Sequence, residues 1–196
     1  MYPNLIPLIL FGIAAGFSPG PNNIVTSYSA FNFGFKKTIP TMLGVICGWT
    51  LLCVFLVLGS GVIFREYQEL QIVIKILGSI YLLFIAYKIS FSKVEKNKRI
   101  KGPVSFINTF FFQFINPKSI IAGSIAVSSF IDIQNYYLRD SLVFLVIMFF
   151  VAVGSQSTWC LMGTYLRKFA TSQKFMRNFN FSMSFLLIVC VIMFYV

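Results

Sequence analysis

The sequence predicts an all-α, polytopic membrane protein. Its six transmembrane helices form two inverted three-helix repeats, with the first and fourth helices broken. Three observations carry this expectation. Of 196 residues, 58% are hydrophobic and 11% charged, with a mean hydropathy of +0.83. Soluble domains carry about 25% charged residues, so too few polar groups remain here to coat a water-soluble globule. Six apolar runs are long enough to cross a hydrocarbon core about 30 Å thick. Two of these runs are interrupted by proline at corresponding places.

The runs fall at 5–35, 41–64, 70–91, 105–131, 141–166 and 179–196. The N-terminal stretch MYPNLIPLIL has neither a basic leader nor an A-x-A-like site, and reads as a retained first span. Together the runs leave only short loops, so a single transmembrane domain over 1–196 is expected. Its first repeat covers 1–91, a basic cytoplasmic loop 92–104, and its second repeat 105–196.

The net charge of +11 looks at first like a polyanion-binding signal. Its distribution says otherwise, and no nucleic-acid partner is expected. Lys36 and Lys37 follow the first run. Lys88, Lys93, Lys96, Lys98, Arg99 and Lys101 follow the third, and Arg167, Lys168, Lys174 and Arg177 the fifth. Twelve of the sixteen basic residues therefore lie on one side. Lys and Arg accumulate in short cytoplasmic loops, which places both termini outside, in the periplasm. Anionic lipid could also engage the 93–101 segment.

The first break is the segment SPGPNNIV at 18–25, and the second is INPKSII at 115–121. Placing Pro21 on Pro117 sets an offset of 96 residues between the halves. Proline removes a backbone donor and clashes with the carbonyl one turn earlier. In hydrocarbon, freed backbone groups survive only when buried in protein or lining a wet cavity. Pro19, Gly20 and Pro21 should therefore unwind the first helix for about a turn, and Pro117 should open the fourth. Each restarted half-helix then turns its free amides and positive dipole end toward the membrane midplane. Two such ends at matched positions suit an anionic group such as an amino-acid carboxylate; a single kink would only shape packing.

Lys118 is the one charged residue near mid-span, and intramembrane charges mark substrate or ion pathways. It is expected to attract a carboxylate or to change protonation during a cycle. Asn22 and Asn23 are expected to hold substrate and, at the same time, to satisfy the carbonyls freed by the break. Gln113, Asn116 and Gln156 either face a cavity or bond helix to helix. Gly44 and Gly48 form a GxxxG pair suited to close helix packing. Cys47, Cys53, Cys160 and Cys190 lie in apolar runs without CxxC spacing, as small packing residues do.

There is no His, and no Asp or Glu lies within a run away from its ends. Metal ligation, hydrolytic chemistry and a carboxylate proton relay are thereby disfavoured, and neither enzyme activity nor a cofactor is expected. A small neutral amino acid fits better than a dibasic one, which would find no counter-charge. Assembly into a homo-oligomer is left open.

At Pro19-Gly20-Pro21-Asn22, followed by Gly34, Gly44 and Gly48, the chain resembles the LysE/RhtB family of amino-acid exporters. Asn116-Pro117-Lys118 matches that family's break in the fourth span. The resemblance covers essentially the whole chain. Val104-Ser105-Phe106 and Phe112-Gln113-Phe114 bring it nearest the cysteine/O-acetylserine exporter branch. It implies export of small metabolites across a bacterial inner membrane, driven by the proton-motive force. Thiol–disulfide conduits of the DsbD/CcdA type also use inverted three-span repeats, but carry Cys in the first and fourth spans; here those spans have none. A channel or passive small-solute pore stays open as the alternative; it would line a continuous pore with rings of carbonyl or charge.

Overall fold

A computed structural model describes residues 5–60, 68–90, 102–132, 134–169 and 172–195. The described residues form helices α1 (Leu5–Phe17), α2 (Pro21–Phe33), α3 (Phe35–Phe55), α4 (Gln68–Ser90), α5 (Phe106–Phe112), α6 (Pro117–Phe130), α7 (Tyr137–Arg167) and α8 (Gln173–Met193). A π-helical turn, Leu56–Ser60, prolongs α3, and a 3-10 turn, Gln113–Ile115, prolongs α5. Among the described residues, four stretches are apolar and long enough to cross a bilayer unbroken: α3 with its π-helical turn as far as Gly59, and stretches of α4, α7 and α8. The pairs α1–α2 and α5–α6 qualify as bent spans, with angles of 54° and 59°. Counting each bent pair once gives the six spans of a polytopic all-α membrane protein.

Both bends fall where the prolines predict. Gly20 and Asn116 adopt extended backbone, and Pro21 and Pro117 open the helices that follow. Proline suits that first position because its fixed φ is helical and its missing N–H would lack an intrahelical acceptor anyway.

Several ends differ from the sequence reading. The second span begins at Phe35 rather than at 41, and α3 passes through Pro40. One lost hydrogen bond near a helix start is tolerable, and Thr38 Oγ1 also donates to Gly34 O (2.9 Å). Gly34 alone turns the chain from α2 to α3 at φ 85°, a left-handed conformation that favours glycine. The sixth span starts at Gln173, capped by Ser172 Oγ accepting from Phe175 N–H (3.1 Å), rather than at 179. Most of the basic loop at 92–104, including Lys93 to Lys101, lies outside the described residues.

The surface is apolar as well as the core, and the interior holds a set of polar side chains beside its hydrophobic clusters. Leu10, Ile80, Phe150 and Phe185 are exposed, as side chains against acyl tails should be, whereas Asn23, Thr26, Gln113, Gln156 and Asn180 are buried. Helix α2 runs through the centre, buried from Asn23 to Phe31, and packs against α7, α3 and α8. Without a water-driven hydrophobic effect between helices, close backbone approach supplies the packing energy. Gly44 and Gly48 let α3 lie against the Phe106 and Phe110 carbonyls of α5, and Gly163 lets α7 lie against Ser27 of α2. Gly78 of α4 covers the second break, against Ile115 O and the Pro117 ring.

Asp132 lies in the turn after α6. It accepts from the backbone N–H of Gln134 (3.0 Å) and Asn135 (3.1 Å) and from Asn135 Nδ2 (3.2 Å). The Asn135 side chain above all, with these backbone bonds and Arg139, holds its carboxyl below the ordinary range.

Candidate functional site

A cavity of about 90 Å³ opens beside the two breaks, between α1, α6 and the middles of α3 and α7. Its apolar lining includes Phe11, Val45, Trp49, Met148 and Val151. Its polar and break-derived lining comprises Gly20, Pro21, Asn22, Asn23, Asn116, Lys118, Ser119, Ser155 and Gln156. Seven of the ten site residues expected from the sequence thus line it. Pro19, Gln113 and Pro117 do not. Pro19 is exposed at the break, Gln113 is fully buried behind Asn22, and Pro117 is buried beneath α4.

Asn23 spends its whole amide on the break. Its Nδ2 donates to Gly16 O (2.8 Å) and Ser18 O (2.9 Å), two carbonyls left over where α1 ends. Its Oδ1 accepts from Gln156 Nε2 (2.8 Å) and Ser155 Oγ (3.3 Å). Gln156 Oε1 in turn accepts from Thr26 Oγ1 (2.5 Å), and Ser155 Oγ donates to Gly16 O (2.7 Å). Of the two roles open to Asn23, satisfying freed carbonyls is the one this geometry displays. Gln156 does both things asked of it: it borders the cavity and ties α7 to α2.

Asn22 is half-buried and exchanges two bonds with Gln113: Nδ2 to Oε1 (2.9 Å), and Nε2 back to Oδ1 (3.0 Å). Gln113 also donates to Thr109 O (2.9 Å) and accepts from Ser119 Oγ (3.3 Å). The second residue of α2 therefore reaches the end of α5. Lys118, the second residue of α6, makes the converse reach to the end of α1. Its Nζ donates to Ser18 Oγ (2.8 Å), Ser18 O (3.2 Å) and Pro19 O (3.2 Å). The ammonium thus sits on the negative end of the α1 dipole, not only beside the positive end of its own helix.

Asn116 precedes α6 in the backbone conformation of an N-cap, yet its side chain caps nothing. Its Oδ1 is buried and has no hydrogen-bond partner among the described residues. The amides of Asn22, Asn23, Lys118 and Ser119 lie in first helical turns, which offer them no intrahelical acceptor. The site thus combines two positive helix ends, one ammonium and one unfilled acceptor. Such a set can hold a carboxylate and, beside it, a donor group.

Ser18, Thr26, Ser119 and Ser155 were not singled out from the sequence. Ser18 could have been, since it opens the SPGPNN segment, and Thr26 lies one turn beyond Asn22 and Asn23. Ser155 is visible only through its neighbour Gln156. None of the four cysteines lies in a broken span, and all four are free.

The model of the LysE type translocator family matches residues 13–196. The chain belongs to the LysE family. Curated relatives include a cysteine/O-acetylserine efflux protein of Salmonella typhi, 26% identical over 185 residues, covering 93% of this chain and 92% of that protein. The cysteine/O-acetylserine efflux protein of Escherichia coli K12 is 25% identical over 196 residues, with 98% of each chain covered. No solved structure matches the chain at a significant level. As a LysE translocator with full-length efflux relatives, this is a multi-pass transport protein of the inner membrane.

Proposed function

We propose that this LysE protein exports small neutral amino acids or their derivatives, of the cysteine/O-acetylserine kind, from a midplane site between two inverted three-helix repeats. The observation that carries the reading is the pairing of broken helices. Two half-helices restart at Pro21 and Pro117 beside one cavity that also holds the Lys118 ammonium. Discontinuous helices at corresponding positions of two halves are the usual seat of substrate in secondary transporters.

The substrate carboxylate rests near the first-turn amides of α2 and α6 and the Lys118 ammonium. Asn22 and Gln156 orient its polar groups. Asn116 Oδ1 offers an acceptor for the amino group, a neutral acceptor in keeping with a substrate of no net charge. The apolar lining, with Trp49 and Met148, takes a small side chain. Support for the repeat comes from the crossed reach of Asn22 and Lys118, which are related by the 96-residue offset. Lys36 and Lys37 in the first turn of α3, and Arg167 in the last turn of α7, lie at the ends of those helices away from the cavity, so we place them, and both connections they flank, in the cytoplasm. The proton-motive force is the proposed energy source, with Lys118 as the ionisable group placed to respond to it.

Everted membrane vesicles test the reading, because an exporter there drives uptake of labelled O-acetylserine. Asn22→Ala and Lys118→Ala should each abolish uptake with membrane insertion unchanged. Wild-type rates in both would refute the site. Counterflow separates this carrier from a pore: unlabelled substrate inside should drive accumulation of label, whereas ohmic current without counterflow would mark a channel.

A further inference from the structure

We propose that the Lys118 ammonium is a latch, shared in turn between the end of α1 and the substrate's carboxylate, and that Ser18 and Gly20 set its hold. This rests on the functional reading above and adds which contact a substrate must displace.

An ammonium has three donors, and all three are engaged here, on Ser18 Oγ, Ser18 O and Pro19 O. Ser18 is fixed for this purpose. Its hydroxyl donates to Ala15 O (2.9 Å), so toward Lys118 it presents only lone pairs. Gly20 provides the path. A Cβ at residue 20 would fall 2.7 Å from Nζ and 3.0 Å from Cδ, so the lysine can lie across the break only where no side chain stands. Lys118 and Gly20 both border the cavity, which puts the ammonium within reach of what enters it.

A carboxylate arriving at the α2 and α6 ends meets an ammonium with no donor to spare. It gains Lys118 only as the Ser18 and Pro19 contacts are given up. Those contacts are among the ties between the end of α1 and the second half of the chain, beside Ser155 Oγ on Gly16 O and Trp159 Nε1 on Phe17 O, so occupancy loosens the hold on the break. Latch and substrate therefore compete. The consequence has an unusual sign: weakening the latch on the Ser18 side tightens substrate binding, whereas loss of an ordinary binding or structural residue weakens it.

Purified full-length protein titrated with O-acetylserine tests this through the fluorescence of Trp49, in the cavity wall, and Trp159, whose Nε1 donates to Phe17 O at the break. Ser18→Ala removes one hydrogen bond to a charged group and should tighten apparent binding about tenfold or more. Gly20→Ala should act in the same direction by displacing the ammonium. The corresponding amino alcohol, which has no carboxylate, should bind Ser18→Ala and wild type alike. Unchanged or weaker O-acetylserine binding to Ser18→Ala, or equal tightening for acid and alcohol, overturns the latch alone. A wild-type protein that binds no amino acid overturns the functional reading and the latch with it.

Discussion

Replacing Asn23 by Leu is the sharpest test of how the first break is held, because the side chain keeps its branching and number of heavy atoms and loses its polar atoms. Without it, Gln156 Nε2 loses its acceptor at 2.8 Å. Gly16 O keeps the Ser155 hydroxyl at 2.7 Å, and Ser18 O keeps Lys118 Nζ at 3.2 Å. One buried donor is thus orphaned, at about 1–3 kcal/mol. Two carbonyls each lose one of two partners, at about 0.6 kcal/mol each on the scale of membrane helix contacts. The sum is about 2–4 kcal/mol, or a fall in melting temperature of about 5–15 °C for a chain of this length. Asn22→Ala, one residue earlier, should cost about 1 kcal/mol or less. Gln113 keeps Thr109 O and Ser119 Oγ, and no buried group is stranded. Melting of detergent-purified variants, followed by fluorescence-detected gel filtration, should therefore separate neighbours that look equivalent in sequence. Equal melting of the two variants would refute this division between a residue that holds the break and a residue that faces substrate.

Other outcomes follow from the packing and the loops. Gly163→Val places carbon against the Ser27 carbonyl of α2, so the protein should lose its monodisperse gel-filtration peak; Gly154→Ala, with only the Phe17 ring 3.5 Å away, should keep it. Replacing Cys47, Cys53, Cys160 and Cys190 together by Ala should leave counterflow intact, since none lies in a broken span. Full loss of counterflow with folding preserved would revive a redox role. Asp132 has a carboxyl pKa lowered in the folded state. Its contribution to the turn after α6 is therefore complete above the ordinary carboxylate range and lost as pH falls through the lowered value. Protection of the Gln134 and Asn135 amides, taken relative to intrinsic exchange at each pH, should hold at neutral pH and fall only in acid, and Asp132→Asn should lower it throughout.

The sequence made the architecture legible because each governing signal is local. Hydrocarbon thickness sets the length of a span, and Pro21 and Pro117 mark their breaks regardless of what packs around them. Boundaries were less legible. The second apolar run starts at 41, yet α3 begins at Phe35 and passes through Pro40, because the left-handed Gly34 turns the chain. Within the site, six residues could be gathered from the two motifs, and Gln156 as an amide in an apolar span, but their partners could not. Whether Lys118 looks to its own helix end or across to Ser18 depends on how two segments 100 residues apart meet. Asn23 and Asn22 read identically as intramembrane amides. Only the positions of Gly16 and Gln156 on one side and Gln113 on the other assign them different partners.

The crossed reach of Asn22 and Lys118 leads to a last prediction, because the two ties are unequal in chemistry. The Asn22–Gln113 tie is a neutral amide pair with Gln113 wholly buried. A carboxylate in the cavity gains little from pulling it apart. The Lys118–Ser18 tie puts an ammonium on carbonyls at the cavity's edge, where a carboxylate is a stronger partner than a carbonyl. Double-mutant cycles on thermal stability should expose the difference. Asn22→Ala with Gln113→Ala should show a coupling of about 0.6–1.7 kcal/mol, the same with and without O-acetylserine. Lys118→Met with Ser18→Ala should couple in the empty protein and lose most of that coupling when substrate is saturating in the proteins that retain Lys118. If both couplings respond to substrate alike, the halves move as one body and the ionic tie has no special part. If only the ionic one responds, binding is felt at the first break and not at the second, and the asymmetry between the halves is where the transport cycle starts.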